Sequence, residues 1–248
     1  MISALAITYN EEEHIERFIK SLSFANEIII VDSGSTDKTV EIAQQLNATV
    51  YHRNFDDFSS QKNFALEKAT HEWIVFFDLD EMISEELASE IKSKIASKSD
   101  ISAYKVKRNF NFMGKRIKYS GFQNDAVIRV FKKSEASYGE NLVHEILSVK
   151  GKTDILKNKS DHYSYKSFDA YNEKLTQYAK LQAEMLYQKN KRPNLYHFFI
   201  RPLWRFKHQY VIKFGFLDGK EGFILAYLSA FAVFKRYLFL WTKYRHID

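Results

Sequence analysis

The chain has 248 residues, 45% hydrophobic and 27% charged, with 8 Gly and 2 Pro, which excludes collagen-like, low-complexity and disordered classes. It has no cysteine, which excludes disulfide scaffolds, thiol nucleophiles, Cys-ligated zinc and iron–sulfur clusters and leaves oxygen and imidazole as ligands for any metal. Of the formal charge of +6, residues 1–190 contribute 26 Lys and Arg against 28 Asp and Glu, and residues 191–248 contribute 11 against 3, so the excess is confined to the C-terminal tail.

Met1 to Thr8 have no basic flank and reach Asn10-Glu11-Glu12-Glu13 too early for a signal peptide, so a strand in a cytosolic protein is expected. Apolar residues at 3–8 predict that strand, and Asn10 followed by Ile15, Phe18, Ile19 and Leu22 predicts an N-capped helix. The pattern repeats with a strand from Glu27 to Val31 ending at Asp32, then a helix carrying Val40, Ala43 and Leu46. A short strand at 49–51, a helix after Phe58-Ser59-Ser60 that carries Phe64, Ala65 and Leu66 and runs to Ala69, and a strand from Trp73 to Phe77 follow. Strands alternating with helices predict an α/β fold with a parallel sheet covered on both faces. Its ligands belong beyond the carboxyl ends of the strands, where Thr8, Asp32 and Asp78 fall.

Beyond residue 100 the pattern is β-rich, with strands expected at 103–108, 126–131 and 146–149 to complete the sheet. Residues 167–190 read as an amphipathic helix with Tyr171, Leu175, Tyr178, Leu181, Met185 and Leu186 on one face, and Pro193 marks a boundary. The longest uncharged apolar stretch, Gly222 to Phe234, is 13 residues. Spanning a bilayer takes ~20, so no crossing segment is expected.

Asp78-Leu79-Asp80-Glu81 follows a buried strand. In extended backbone Asp78 and Asp80 would face one side and could address one divalent cation, magnesium or manganese by their oxygen chemistry; the alternative is a turn residue and a helix cap near Ser84. Asp32-Ser33-Gly34-Ser35-Thr36-Asp37 offers a carboxylate, a glycine turn and hydroxyls at a helix start, suited to a nucleoside or its phosphates, or to an ordinary capped turn. There is no Gly-x-Gly-x-x-Gly and no Gly-Lys-Ser/Thr phosphate loop, which argues against dinucleotide dehydrogenases and P-loop NTPases.

Thr8-Tyr9-Asn10-Glu11-Glu12, Ile30-Val31-Asp32-Ser33-Gly34-Ser35-Thr36-Asp37, Gln61-Lys62-Asn63 and the DxD of Asp78-Leu79-Asp80-Glu81 together resemble an inverting family 2 glycosyltransferase of the GT-A fold, in the expected order. Tyr119-Ser120-Gly121-Phe122, Ile128-Arg129-Val130-Phe131, Val143-His144-Glu145 and Gly215-Phe216-Leu217-Asp218-Gly219 resemble its lipopolysaccharide core β-1,4-glucosyltransferase-like branch. The resemblance implies a GT-A Rossmann-like mixed sheet flanked by helices over residues 1–166, then a helical region over 167–248. It also implies a nucleoside pocket lined by Thr8, Asn10, Glu11, Ser35 and Asp78, with Asp32 on the base of a UDP-sugar. Lys62 would meet the diphosphate, and the metal would be held by Asp80 and Asp78 with His162 joining it; a solvated lysine and a surface histidine are the alternatives. Inverting transfer needs one base for the acceptor hydroxyl. Glu145 matches its position, with His144-Glu145 where the family commonly has Glu-Asp, and Asp125 is the rival. Arg129, inside an apolar strand, suggests a phosphate or carboxylate partner or an edge strand facing water.

Residues 194–248 interleave aromatic rings with Lys and Arg, which suits an anionic membrane surface on the cytoplasmic face of an inner membrane, or a helical subdomain packing its rings inward. The implied acceptor is a lipid-linked glycan. Two other classes compete. A nucleotidyltransferase would need a basic phosphate loop where Glu11-Glu12-Glu13 stand, and a membrane-associated nucleic-acid binder is opposed by the near-neutral body.

Overall fold

Ile2, Ala4, Leu5, Ala6 and Ile7 form β1 (Ile2–Thr8), which lies between two parallel neighbours, β2 (Glu27–Asp32) and β4 (Trp73–Phe76). β3 (Thr49–His52) extends the parallel group beyond β2. The connections are α1 (Glu12–Ser21), α2 (Thr39–Gln45) and α3 (Phe58–Lys68). The computed structural model describes residues 1–97, 99–122, 125–139, 147–165 and 167–247.

From β4 the sheet turns antiparallel. Its strand order is β3-β2-β1-β4-β8-β6-β11-β5, where β5 is Glu81–Met82, β6 Ile101–Phe112, β8 Ala126–Lys132 and β11 Lys152–Tyr165. β7 (Lys115–Ile117) pairs with the end of β6, and β9 (Ala136–Tyr138) pairs with β10 (Leu147–Val149) as a separate ribbon. The mixed sheet is the expected GT-A arrangement, and Leu5, Val31, Ile74, Phe76 and Phe131 centre its core. α4 (Glu85–Ala96) is capped by Ser84, whose hydroxyl accepts from Leu87 N at 3.3 Å.

Glu27 ties β1, β2 and the turn before β4 together, accepting from the Ser3 hydroxyl and from Thr70 N and Oγ1 at 2.7 and 2.9 Å. Burial pushes its carboxyl up, but these bonds and His71 hold it below the ordinary 4.5. A carboxyl depressed in the folded state contributes stability above its unfolded pKa that is lost as pH falls. Between about pH 5 and pH 3 the urea midpoint should therefore fall more in the wild type than in Glu27→Gln.

Two compact units result: Met1–Arg108 with Asp125–His162, and Asn109–Asn124 with Tyr163–Asp248. The second contains α5 (Phe168–Gln188), α6 (Arg201–Lys207) and α7 (Lys220–Arg245), with π-helical turns at Tyr196–Ile200 and His208–Ile212 on either side of α6. The buried side of α5 is Tyr171, Ala179 and Ala183, while Tyr178, Leu181 and Met185 are exposed. Leu175 and Leu186 pack against the same unit's core as expected, and the alanines, by their small size, let α5 lie close against α7.

The motifs at 119–122 and 215–219 meet in this unit. The buried Asp218 accepts from Lys118 N, Tyr119 N and the Ser120 hydroxyl at 2.9–3.0 Å. A Cβ on Gly222 would lie 1.9 Å from the Gly215 carbonyl oxygen, so the start of α7 requires glycine there. α7 has 26 residues and, by length and composition alone, is long and apolar enough to cross a membrane. Half of its most apolar window is buried within the protein. Lys235 is among its buried residues, donating to Asn172 Oδ1 and Thr176 Oγ1 on α5 at 2.9 and 2.6 Å.

Candidate active site

The loops that follow β1 and β2 are stitched to each other. Asn10 adopts a left-handed conformation (φ 53°), and its N–H donates to Ser35 Oγ at 2.9 Å while its Oδ1 accepts from Thr36 N at 2.8 Å. Glu11 N donates to Thr39 Oγ1 at 2.7 Å, and Glu12 exchanges bonds with Asp37 and Lys38 N at 3.1 Å. Asn10 is thus a bridge between loops rather than the expected N-cap, which falls to Glu11 without a side-chain bond. Thr8 Oγ1, at the end of β1, is buried with no hydrogen-bond partner among the described residues.

Asp32 turns back on its own loop. Oδ2 accepts from Gly34 N and Ser35 N at 2.9 and 3.0 Å and lies 3.2 Å from His52 Nδ1, while Oδ1 accepts from Ser35 Oγ. The side chain is 1% exposed, and both of its oxygens order the turn. Gln61, buried on α3, fixes the same turn from below by donating to Ser33 Oγ at 2.9 Å and Arg53 O at 3.0 Å.

An alternating chain of charges runs across the carboxyl end of β4. Lys62 Nζ lies 3.8 Å from Asp78 Oδ1. Arg129 donates to Asp78 Oδ2 and to Glu81 Oε1, the latter at 2.7 Å. Arg108 joins Glu81 Oε1 at 3.0 Å to Asp125 Oδ2 at 2.6 Å. Burial pushes the Asp78 carboxyl up, but Arg129, Lys62 and Arg108 override it and hold it well below the ordinary range. Burial pulls the Arg129 guanidinium down, and Asp78 and Glu81 more than reverse that. Arg129 therefore has carboxylate partners and is buried, contrary to a water-facing edge position.

Glu81 N donates to Asp78 O at 2.9 Å, closing a turn, so the extended-backbone argument for two carboxylates on one face does not hold. Asp78 is engaged by cations and Asp80 is directed elsewhere, with Oδ2 3.2 Å from His162 Nε2. The pairing that brings them together is the short β5, in which Glu81 registers with His162 on β11. No group of three His, Asp or Glu that could hold a metal occurs among the described residues. One carboxylate and one imidazole nonetheless fit a magnesium or manganese ion, which commonly takes few protein ligands and completes its shell with phosphate oxygens and water. Asp125, with Oδ2 accepting Arg108 Nε at 2.8 Å, is committed to an ion pair. Glu145 lies outside the described residues.

Glu81 and Arg108 were not foreseen as site residues. Glu81 is fully buried with Oε2 unpartnered among the described residues, and its signal was a third carboxylate following Asp78 and Asp80. Arg108 sits in the run Lys105-Val106-Lys107-Arg108, which looks solvated; its placement across from β8 was the missing information.

The glycosyl transferase family 2 model matches residues 3–151. An uncharacterized glycosyltransferase of Rickettsia bellii is 32% identical over 247 residues, covering 95% of this chain and 84% of that one. The lipopolysaccharide core biosynthesis glycosyltransferase LpsC of Rhizobium meliloti is 26% identical over 250 residues, covering 95% and 93%. In structure the chain is similar to glucosyl-3-phosphoglycerate synthase from Mycobacterium tuberculosis, solved with Mn2+, UDP and glucosyl-3-phosphoglycerate, at TM-score 0.53 and 17% identity, covering 79% of this chain and 81% of that one. That likeness is one of fold. The family match spans most of the chain and the Rickettsia relative aligns along nearly all of it, so this protein belongs to glycosyl transferase family 2 and is a glycosyltransferase.

Proposed function

We propose that the protein moves a hexosyl group, glucose or a close relative, from a UDP-sugar to a lipid-linked glycan such as a lipopolysaccharide core, inverting the anomeric centre. The observation that carries this reading is the Asp80–His162 pair standing beside Asp78, Lys62 and Arg129 at the carboxyl end of β4. Structures of the mycobacterial synthase with Mn2+ and UDP-glucose, and with Mg2+ and UDP, support a divalent metal and a UDP donor, and LpsC supports the acceptor class.

Thr8, Asn10, Glu11 and Ser35 line the nucleoside pocket in this assignment, with Asp32 acting through the turn it orders. Lys62 and Asp78 meet the nucleotide, and Asp80 and His162 hold Mg2+ or Mn2+. The metal, when bound, neutralises charge on the departing diphosphate. The base for the acceptor hydroxyl is assigned to Glu145 on its match to the family position, since Asp125 spends its oxygen on Arg108. The enzyme works peripherally at an anionic membrane on its cytoplasmic face, and its near-neutral body gives no electrostatic footprint for nucleic acid.

Isothermal titration of UDP into the protein with and without Mn2+ tests the donor assignment. Micromolar binding that requires the metal is expected; no binding in either condition would overturn UDP as the donor nucleotide.

A further inference from the structure

A cleft of about 590 Å³ opens within the helical unit between α5, α6 and α7. Arg201, Arg205 and Arg236 line it with His208, Trp204 and Tyr178, and no carboxylate is among its lining residues. Arg201 and Arg205 stand one turn apart on α6, a like-charge spacing that destabilises a helix. Arg236 approaches them from α7. Burial, and then the charges of Arg201 and Arg205, pull its guanidinium below the ordinary value, while Tyr237 pulls the other way.

Their neutral partners do not cancel this charge. Arg201 donates to Tyr237 Oη at 2.8 Å, and Arg236 Nε is buried without a partner among the described residues. Two acids on the helices that form the cleft are committed elsewhere: Glu184 on α5 pairs with Lys243 at 2.7 Å, and Glu221 at the start of α7 pairs with Lys115 at 2.5 Å. Three guanidiniums held together without a counter-charge form a site for an anion, and their planar forks match phosphate oxygens. Leu175, Ala179, Ala232 and Val233 give the cleft an apolar part beside Gln182 and Ser229, and Phe199, Ile200, Leu203 and Trp204 on or beside α6 are exposed. A ligand that suits both parts carries phosphate on a hydrocarbon. The two π-helical turns that bracket α6 are the kind of irregularity that recurs at functional sites.

We propose that this cleft binds the phosphomonoester or diphosphate headgroup of a lipid, with Arg201, Arg205 and Arg236 on the phosphate oxygens and Trp204 and Tyr178 along the adjoining apolar part. This deepens the lipid-linked acceptor reading and rests on it only for the source of the phosphate.

The test is flotation of the full chain with phosphatidylcholine vesicles containing phosphatidic acid, or phosphatidylglycerol matched for surface charge. The wild type should prefer phosphatidic acid. Arg201→Gln/Arg205→Gln should lower that affinity about tenfold, to the phosphatidylglycerol level, because two charge-assisted forks are lost. Lys189→Gln/Lys191→Gln, with the same change in net charge outside the cleft, should keep the preference. Arg201→Lys/Arg205→Lys, which retains the charge and loses the forks, should fall between them, and matching thermal melts verify folding. Equal loss in both glutamine pairs, or no preference in the wild type, would overturn the proposal. Inorganic pyrophosphate bound as tightly as the vesicles, and lost with the arginines, would reassign the cleft to a soluble phosphate and sink the lipid assignment. Metal-dependent UDP binding should survive in Arg201→Gln/Arg205→Gln, so failure here is separable from failure of the glycosyl-transfer reading.

Discussion

Replacing Arg129 by methionine is expected to destabilise the first unit by about 3–5 kcal/mol, the usual penalty for removing one partner from a buried ion cluster. The guanidinium bonds both Asp78 and Glu81, and Glu81 is fully enclosed with one oxygen already unpartnered among the described residues. Without Arg129, Glu81 keeps Arg108 and Asp78 keeps Lys62 at 3.8 Å. At ~2–4 °C per kcal/mol for a unit of this size, the melting temperature should drop by roughly 6–20 °C. Urea denaturation gives the free energy directly. Arg129→Lys should lie between, since an ammonium keeps the charge but not the fork. Arg129→Met/Glu81→Leu should recover much of the loss, because a buried pair replaced by apolar groups is often close to neutral. A single-variant loss below about 1 kcal/mol would mean that the cluster behaves as a solvated surface pair.

Asp80→Ala is expected to have the opposite profile, with activity lost and the fold retained. Its side chain is one-third exposed and it pairs with His162, so stability should stay within about 0.5 kcal/mol. The transfer rate should fall by ~10²–10³, the range for removing a group that stabilises developing charge. UDP titration should lose its dependence on Mn2+. His162→Ala should weaken the same dependence less, since an imidazole contributes no formal charge when it ligates a cation. Wild-type UDP affinity with manganese in Asp80→Ala would place the metal elsewhere.

The first eighty residues are legible in the sequence because each strand is an aliphatic run that ends on a polar residue, as in Ile28 to Asp32 and Trp73 to Asp78. Positions of the strand ends, and hence of Thr8, Asp32 and Asp78, follow from topology alone. β11 is harder to read. Lys152–Tyr165 alternates charged and polar residues with few aliphatics, and its pairing with β5 depends on residues eighty positions away. That pairing carries His162 to Asp80, so the proposed metal pair was legible by residue type while its geometry was not. The two-residue β5 is too short for any periodicity. In α5 a helical count of large apolar residues finds Tyr171, Leu175 and Leu186 but misses Ala179 and Ala183, which are buried beside them.

In the proposed assignment, the stitched loops after β1 and β2 bear on how fast the donor is captured. Asn10, Glu11, Glu12, Ser35, Thr36 and Thr39 lock each other with bonds supplied by the chain itself, so the binding-competent shape belongs to the folded protein. A ligand's apparent affinity scales with the fraction of molecules already in the competent shape, and the mutual locking of these loops is expected to keep that fraction high. Nucleotide association should then follow a single exponential whose rate rises linearly with concentration, without the plateau that a slow loop rearrangement imposes.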